Sequence, residues 1–150
     1  MTYVVWLLLG LTLWLTGCKQ DVSAPFPGPT AVGGEETVSL AALNRGARLF
    51  QEHCAQCHGP EGQGHPDWQT PGVVAAPPVN GTGNDWKRSQ AELVAIIKEG
   101  ANRGGVQIMP GWKERMTDAE VADVIAWFQA LWPQEVYAKW RTKAATGPRG

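Results

Sequence analysis

The chain has 150 residues, room for one domain with short extras. Its 13 basic and 14 acidic side chains leave a formal charge of -1, so nothing in the balance suggests nucleic-acid binding or a polyanionic substrate. Charged residues are only 18% of the chain, against 18 Gly and 11 Pro, a composition suited to a small, loop-rich domain whose core is completed by a cofactor.

Val4 to Leu15 reads VVWLLLGLTLWL, apolar apart from Gly10 and Thr12. A membrane span needs about 20 such residues, so this shorter run fits the h-region of a signal peptide. That peptide occupies residues 1–17 and ends Leu15-Thr16-Gly17-Cys18, which resembles the bacterial lipobox. Cys18 is then expected to carry a lipid and tether the protein to the membrane. The n-region, Met1-Thr2-Tyr3, has no Lys or Arg, so an uncleaved apolar anchor from Tyr3 to Gly17 stands as the alternative. Both readings put the domain on the periplasmic side of the cytoplasmic membrane. Residues 18–38 are rich in Gly and Pro without apolar periodicity and read as a flexible tether.

From residue 39 the pattern becomes helical, and a domain is expected over residues 39–141. Ser39 is a plausible N-cap for a helix running to about His53, with Leu43, Ala47, Phe50 and Cys54 on one stripe. Gly46 sits inside that helix, where it costs roughly 1 kcal/mol against Ala and therefore wants a packing reason.

The helix runs into Cys54-Ala55-Gln56-Cys57-His58, a C-x-x-C-H pentad. Two thiols at this spacing can each form a thioether to a haem vinyl group, and the next residue can offer an imidazole nitrogen to the iron. A disulfide, a thioredoxin-like redox pair and half of a zinc site are the other uses of C-x-x-C. The zinc site wants a second Cys or His pair and the redox pair a βαβ unit, and the sequence shows neither. One covalently attached haem c is the expected cofactor, with His58 as its proximal ligand. No disulfide remains once Cys18 takes lipid and Cys54 and Cys57 take haem.

After a turn-rich loop, Gly59 to Gly64, the chain stiffens through Pro77-Pro78-Val79. Ser89-x-x-Glu92 is a capping box opening a helix that stops at Gly100. Ala101 to Trp112 reads as a Gly-rich loop ending Ile108-Met109-Pro110-Gly111-Trp112. Thr117-x-x-Glu120 is a second capping box, with Met116 and Val121 as its hydrophobic staple. Its helix carries Val121, Val124, Ile125, Phe128 and Leu131 and ends at Pro133. A short last helix is expected through Trp140, followed by a basic tail over residues 142–150.

The candidates for the iron's second ligand are Met109, Met116, His53 and His65. Met116 has the staple role, His53 adjoins the attachment side, and His65 follows His58 too closely to reach the far face. Met109, in a loop braced by Pro110, is the expected distal ligand, a soft sulfur that raises the iron's potential.

This order of elements resembles the class I monohaem cytochromes c over about Leu40 to Leu131. The resemblance implies an all-α fold of three to five helices wrapped around one haem. It also implies that Gly46 and Phe50 pack against an aromatic of the last core helix, here Trp127 where Tyr is commoner. A further implication is that the Pro77 carbonyl accepts a hydrogen bond from His58, although Val79 stands where the family has Leu. The expected function is one-electron transfer, not enzymic turnover, between a membrane donor complex and a terminal oxidase or reductase, with no nucleic acid and no small-molecule substrate. Two alternatives remain: an electron-transfer subunit of a dehydrogenase, and a haem enzyme or gas sensor with a displaceable sixth ligand.

Overall fold

The structure, a computed structural model, describes residues 38–146. The expected signal peptide, Cys18 and all but the end of the tether lie outside the described residues.

Helix α1 (Leu40–His53) begins where the Ser39 hydroxyl accepts the Ala42 N–H at 3.1 Å. Its last hydrogen bond, from Cys54 N to the Phe50 carbonyl, leads into the four-residue turn α2 (Ala55–His58). Both expected capping boxes form. Ser89 and Glu92 open α3 (Gln90–Glu99), which leaves the helical path at Gly100 with φ 78, and Thr117 and Glu120 open α4 (Asp118–Ala130). Met116 and Val121 are 4% and 0% exposed beside the second cap, as a hydrophobic staple requires.

Gly46 has its packing reason. A Cβ there would overlap the Asp123 carbonyl oxygen of α4 and stand 3.0 Å from Trp127 Cβ, so α1 and α4 cross backbone to backbone. Next to the crossing, the Phe50 and Trp127 rings lie 4.4 Å apart between centroids at 40°. Arg45 clamps the same crossing from outside, its Nε donating to Asp123 Oδ2 at 2.8 Å. The core gathers Leu49 and Phe50 of α1, Leu93 and Ile97 of α3, and Val121, Val124, Ile125 and Phe128 of α4. The buried stripe of α1 is thus 46, 49 and 50, and Leu43 is only half-buried.

Leu131, expected on the apolar stripe of α4, lies just past its end and is 39% exposed, and two further elements depart from the sequence reading. Within the expected loop, β1 (Ala101–Arg103) and β2 (Val106–Met109) form an antiparallel hairpin, irregular between Ala101 and Asn102. Gly104 and Gly105 turn it with φ of 57 and 81, the positive pair that a two-residue hairpin turn needs. These strands are too short for alternation to reveal them, and the Gly-Gly pair was the available signal. The second departure is α5 (Gln134–Thr146), which continues through the expected start of the tail. Lys143 Nζ donates to the Lys87 carbonyl at 2.6 Å, and Trp140 Nε1 donates to the Arg88 carbonyl at 2.7 Å, tying α5 to the 3-10 turn Asp85–Lys87. Among the described residues no helix is long and apolar enough to cross a membrane.

Candidate functional site

Cys54, Cys57 and His58 occupy positions i, i+3 and i+4 of one tight turn, the spacing that puts side chains on a single helical face. The turn is closed by Cys57 N and His58 N, which both donate to the Cys54 carbonyl, at 3.1 and 3.0 Å. Both thiols are free. Burial, and then the neighbouring Cys57, push the Cys54 thiol up to about 11.

The loop after His58 doubles back and lies along the proline stretch. Gly64 N donates to the His58 carbonyl at 2.7 Å, Val79 N to the Gly62 carbonyl at 2.7 Å, and His65 N to the Ala76 carbonyl at 2.9 Å. Gly59, Gly62 and Gly64 make that path possible with φ of 77, 63 and 72, and Gly64 packs so closely that a Cβ would stand 2.7 Å from the Pro77 carbonyl carbon. The outcome is a 2.8 Å contact between His58 Nδ1 and the Pro77 carbonyl oxygen. A carbonyl can only accept, so Nδ1 carries the proton and Nε2 keeps its lone pair. Burial lowers the proton affinity of His58, opposed by the Pro77 hydrogen bond and by the charge of Asp85. The net effect keeps the imidazole neutral at neutral pH, the form that binds a metal.

Trp132 holds the far end of the same segment. Its Nε1 donates to the Val79 carbonyl at 2.9 Å, and Gly81 lies against its ring. Sequence reasoning passed over Trp132, and only its place just before the helix-ending Pro133 set it apart. It also passed over Asp85, a buried carboxylate whose Oδ2 accepts the Gly81 N–H at 3.2 Å.

Met109 ends β2 half-buried against the core. Its backbone is fixed on two sides: Ala101 pairs with it across the hairpin, and Trp112 N donates to the Ile97 and Lys98 carbonyls just beyond Pro110. The competing candidates are engaged elsewhere. Met116 is core, His53 packs on Trp112 at 4.9 Å between rings, and the exposed His65 accepts the Asp67 N–H at 3.1 Å. Arg103, the distal acid/base group an open haem enzyme would want, is exposed on β1. Trp112 is buried in the core and Trp86 is half-buried against it.

Among the described residues no cluster of three or more His, Cys, Asp or Glu could hold a bare metal ion. The donor set instead fits covalently bound haem: two unpaired thiols and a neutral imidazole with its lone pair free, all on one turn.

The family described as "Cytochrome C oxidase, cbb3-type, subunit III" matches residues 41–128. Curated relatives include the Cbb3-type cytochrome c oxidase subunit CcoP of Azospirillum brasilense, 34% identical over 99 residues, covering 65% of this chain and 31% of that protein. The subunit of the same name from Cereibacter sphaeroides is 29% identical over 99 residues, covering 66% of this chain and 30% of that protein. The chain spans less than a third of the length of these relatives. No solved structure matches it.

Proposed function

Because the chain belongs to the cbb3-type cytochrome c oxidase subunit III family, and so holds haem c covalently as an electron-carrying domain, we propose that it passes single electrons to a terminal oxidase through a closed His58/Met109 site. The observation that carries this reading is the 2.8 Å bond from His58 Nδ1 to the Pro77 carbonyl, which aims an unprotonated Nε2 from the residue directly after a free thiol. Cys54 and Cys57 would hold the haem through thioethers, and His58 and Met109 would supply its two iron ligands. Bound there, haem c supplies a one-electron iron couple whose potential a thioether ligand raises. The protein's own work is to orient the ligands: the glycine loop and Trp132 fix Pro77, and the hairpin and α3 fix Met109. With both iron ligands supplied by the protein, the site would leave no place for a substrate, and the domain would act as a carrier and not as an enzyme by itself.

The terminal oxidase as partner is supported by the names of the relatives, which are oxidase subunits. A lipid on Cys18 would hold the domain on the periplasmic side of the membrane, and the LTGC sequence supports that anchor. Tethering raises the effective concentration of the carrier near its membrane partners.

A redox-titrated optical spectrum of the full chain tests the reading. One covalent haem is expected, with a single one-electron transition, a sulfur-to-iron band toward the red in the oxidised form, and no carbon monoxide binding in the reduced form at neutral pH. Ready carbon monoxide binding would overturn the closed site in favour of a haem with a displaceable ligand.

A further inference from the structure

Two charged side chains are buried among the described residues, and they are treated differently. Asp123 is paired with Arg45. Asp85, 7% exposed, has no ion pair, and its Oδ1 meets no hydrogen-bond donor. A buried carboxylate with one orphan oxygen is costly as an anion and calls for a reason.

Its location supplies one. Asp85 closes the segment 77–85, whose first carbonyl receives the His58 N–H, and its Oδ2 accepts the Gly81 N–H inside that segment. Burial holds its carboxyl above the ordinary carboxylate range, while the N–H groups of Gly81 and of its own turn favour the anion and limit the rise. Its charge already reaches the imidazole, because it raises the proton affinity of His58.

The charged groups on the surrounding elements are few. His58 of α2 lies within reach of the charge of Asp85. Lys87 and Arg88 follow it in sequence, and Lys143 reaches the same turn from α5. Lys87 Nζ donates to Asn84 Oδ1 at 2.7 Å, and Arg88 and Lys143 both act on Glu92. Residues 77–83 carry no charge, and the α4–α5 junction contributes the neutral Trp132 and Pro133.

We propose that Asp85 is a proton-binding site coupled to the redox site: it holds a proton while the haem is reduced and releases it to solvent when the haem gives up its electron. The proposal rests on the haem reading above. The balance is one electron to the acceptor and at most one proton from the Asp85 carboxyl, with no bond to carbon made or broken. Coupling is reciprocal: a positive charge gained at the iron favours the Asp85 anion, and the anion in turn favours the oxidised iron. The potential of the holoprotein should therefore fall as pH rises between the two proton affinities of Asp85 and level off on either side.

The experiment is a titration of the holoprotein's potential against pH, for wild type and Asp85→Asn. The asparagine keeps an oxygen for the Gly81 N–H but cannot ionise. The expected result is loss of the slope, with the variant flat at the high potential that wild type shows only in acid. Asp85→Glu should restore a slope. A slope unchanged in Asp85→Asn would assign it to the haem propionates and overturn the proposal, as would a flat wild-type curve. Should Asp85→Asn fail to mature, the wild type decides. Redox-difference infrared spectra with 13C-carboxyl aspartate must show a protonated-carboxyl band that follows the label, and its absence overturns the proposal. Failure of the haem reading is distinct, since it would leave no haem spectrum to titrate.

Discussion

Gly46 of α1 faces the Asp123 carbonyl of α4 with no room for a methyl group between them. Gly46→Ala sets two effects against each other. Helix propensity favours the alanine by about 1 kcal/mol, whereas forcing a methyl into a packed crossing costs about 1–3 kcal/mol. The obstacle is backbone, which cannot rotate away, so packing wins and the variant is destabilised. Denaturant unfolding should show a lower midpoint at unchanged slope. A variant as stable as wild type would mean that the helices separate at little cost.

Gly64→Ala should injure the site more than the fold. Its φ of 72 is left-handed, and the new Cβ would press on the Pro77 carbonyl carbon. The backbone term alone costs about 1–2 kcal/mol. The displaced carbonyl loosens its bond to His58 Nδ1, which makes the imidazole a weaker donor. The potential should rise relative to wild type, because a less electron-rich ligand stabilises the oxidised iron less. A shift in stability with an unmoved potential would show that the Pro77 bond has no hold on the ligand.

Met109→Ala removes the expected thioether ligand. The sulfur-to-iron band should vanish, reduced protein should bind carbon monoxide, and the potential should drop within the roughly 0.8 V span that axial ligands control. Met116→Ala provides the contrast, because a core methionine lost in that way costs about 2–5 kcal/mol of stability and should leave the band in place. The reverse pattern would move the ligand to Met116.

Trp132→Phe should cost about 1–3 kcal/mol, the penalty for stranding a buried acceptor, here the Val79 carbonyl. Thermal unfolding of the holoprotein measures it. An unchanged midpoint would mean that water replaces the indole.

The parts that sequence revealed are those written in short local codes. CAQCH, the two capping boxes and the Gly46–Phe50 pair each depend on residues within one turn or one helix: the pentad folds as one tight turn, and the caps and the packed Phe50 are found where expected. The hairpin escaped because three- and four-residue strands carry no period, and its turn is written in two glycines that also suit a loop. Helix α5 outran its expected end because Lys143 bonds the Lys87 carbonyl, a pairing 56 residues apart. Trp132 has the same character: its partner, the Val79 carbonyl 53 residues away, exists only once the chain is folded, and Asp85 stands out only by its burial.

Acid should expose the two helix caps. Glu92 and Glu120 each accept the backbone N–H and hydroxyl of their cap residues, Ser89 and Thr117, and both titrate below the ordinary 4.5. A carboxylate whose folded value is depressed contributes stability that is fully present above its unfolded value and is lost as pH falls through the folded one. The caps therefore weaken as the pH drops below the ordinary glutamate range. Asp85 acts in the opposite direction: burial raises its folded value, so the folded state takes up its proton first and is favoured as pH falls. Replacing Glu92 and Glu120 by Gln removes the first effect and leaves the second. The double variant should be less stable than wild type at neutral pH, and the gap should close in acid, as read from thermal midpoints across that range. A gap constant with pH would show that the glutamates act by hydrogen-bond shape alone and that their charge contributes nothing.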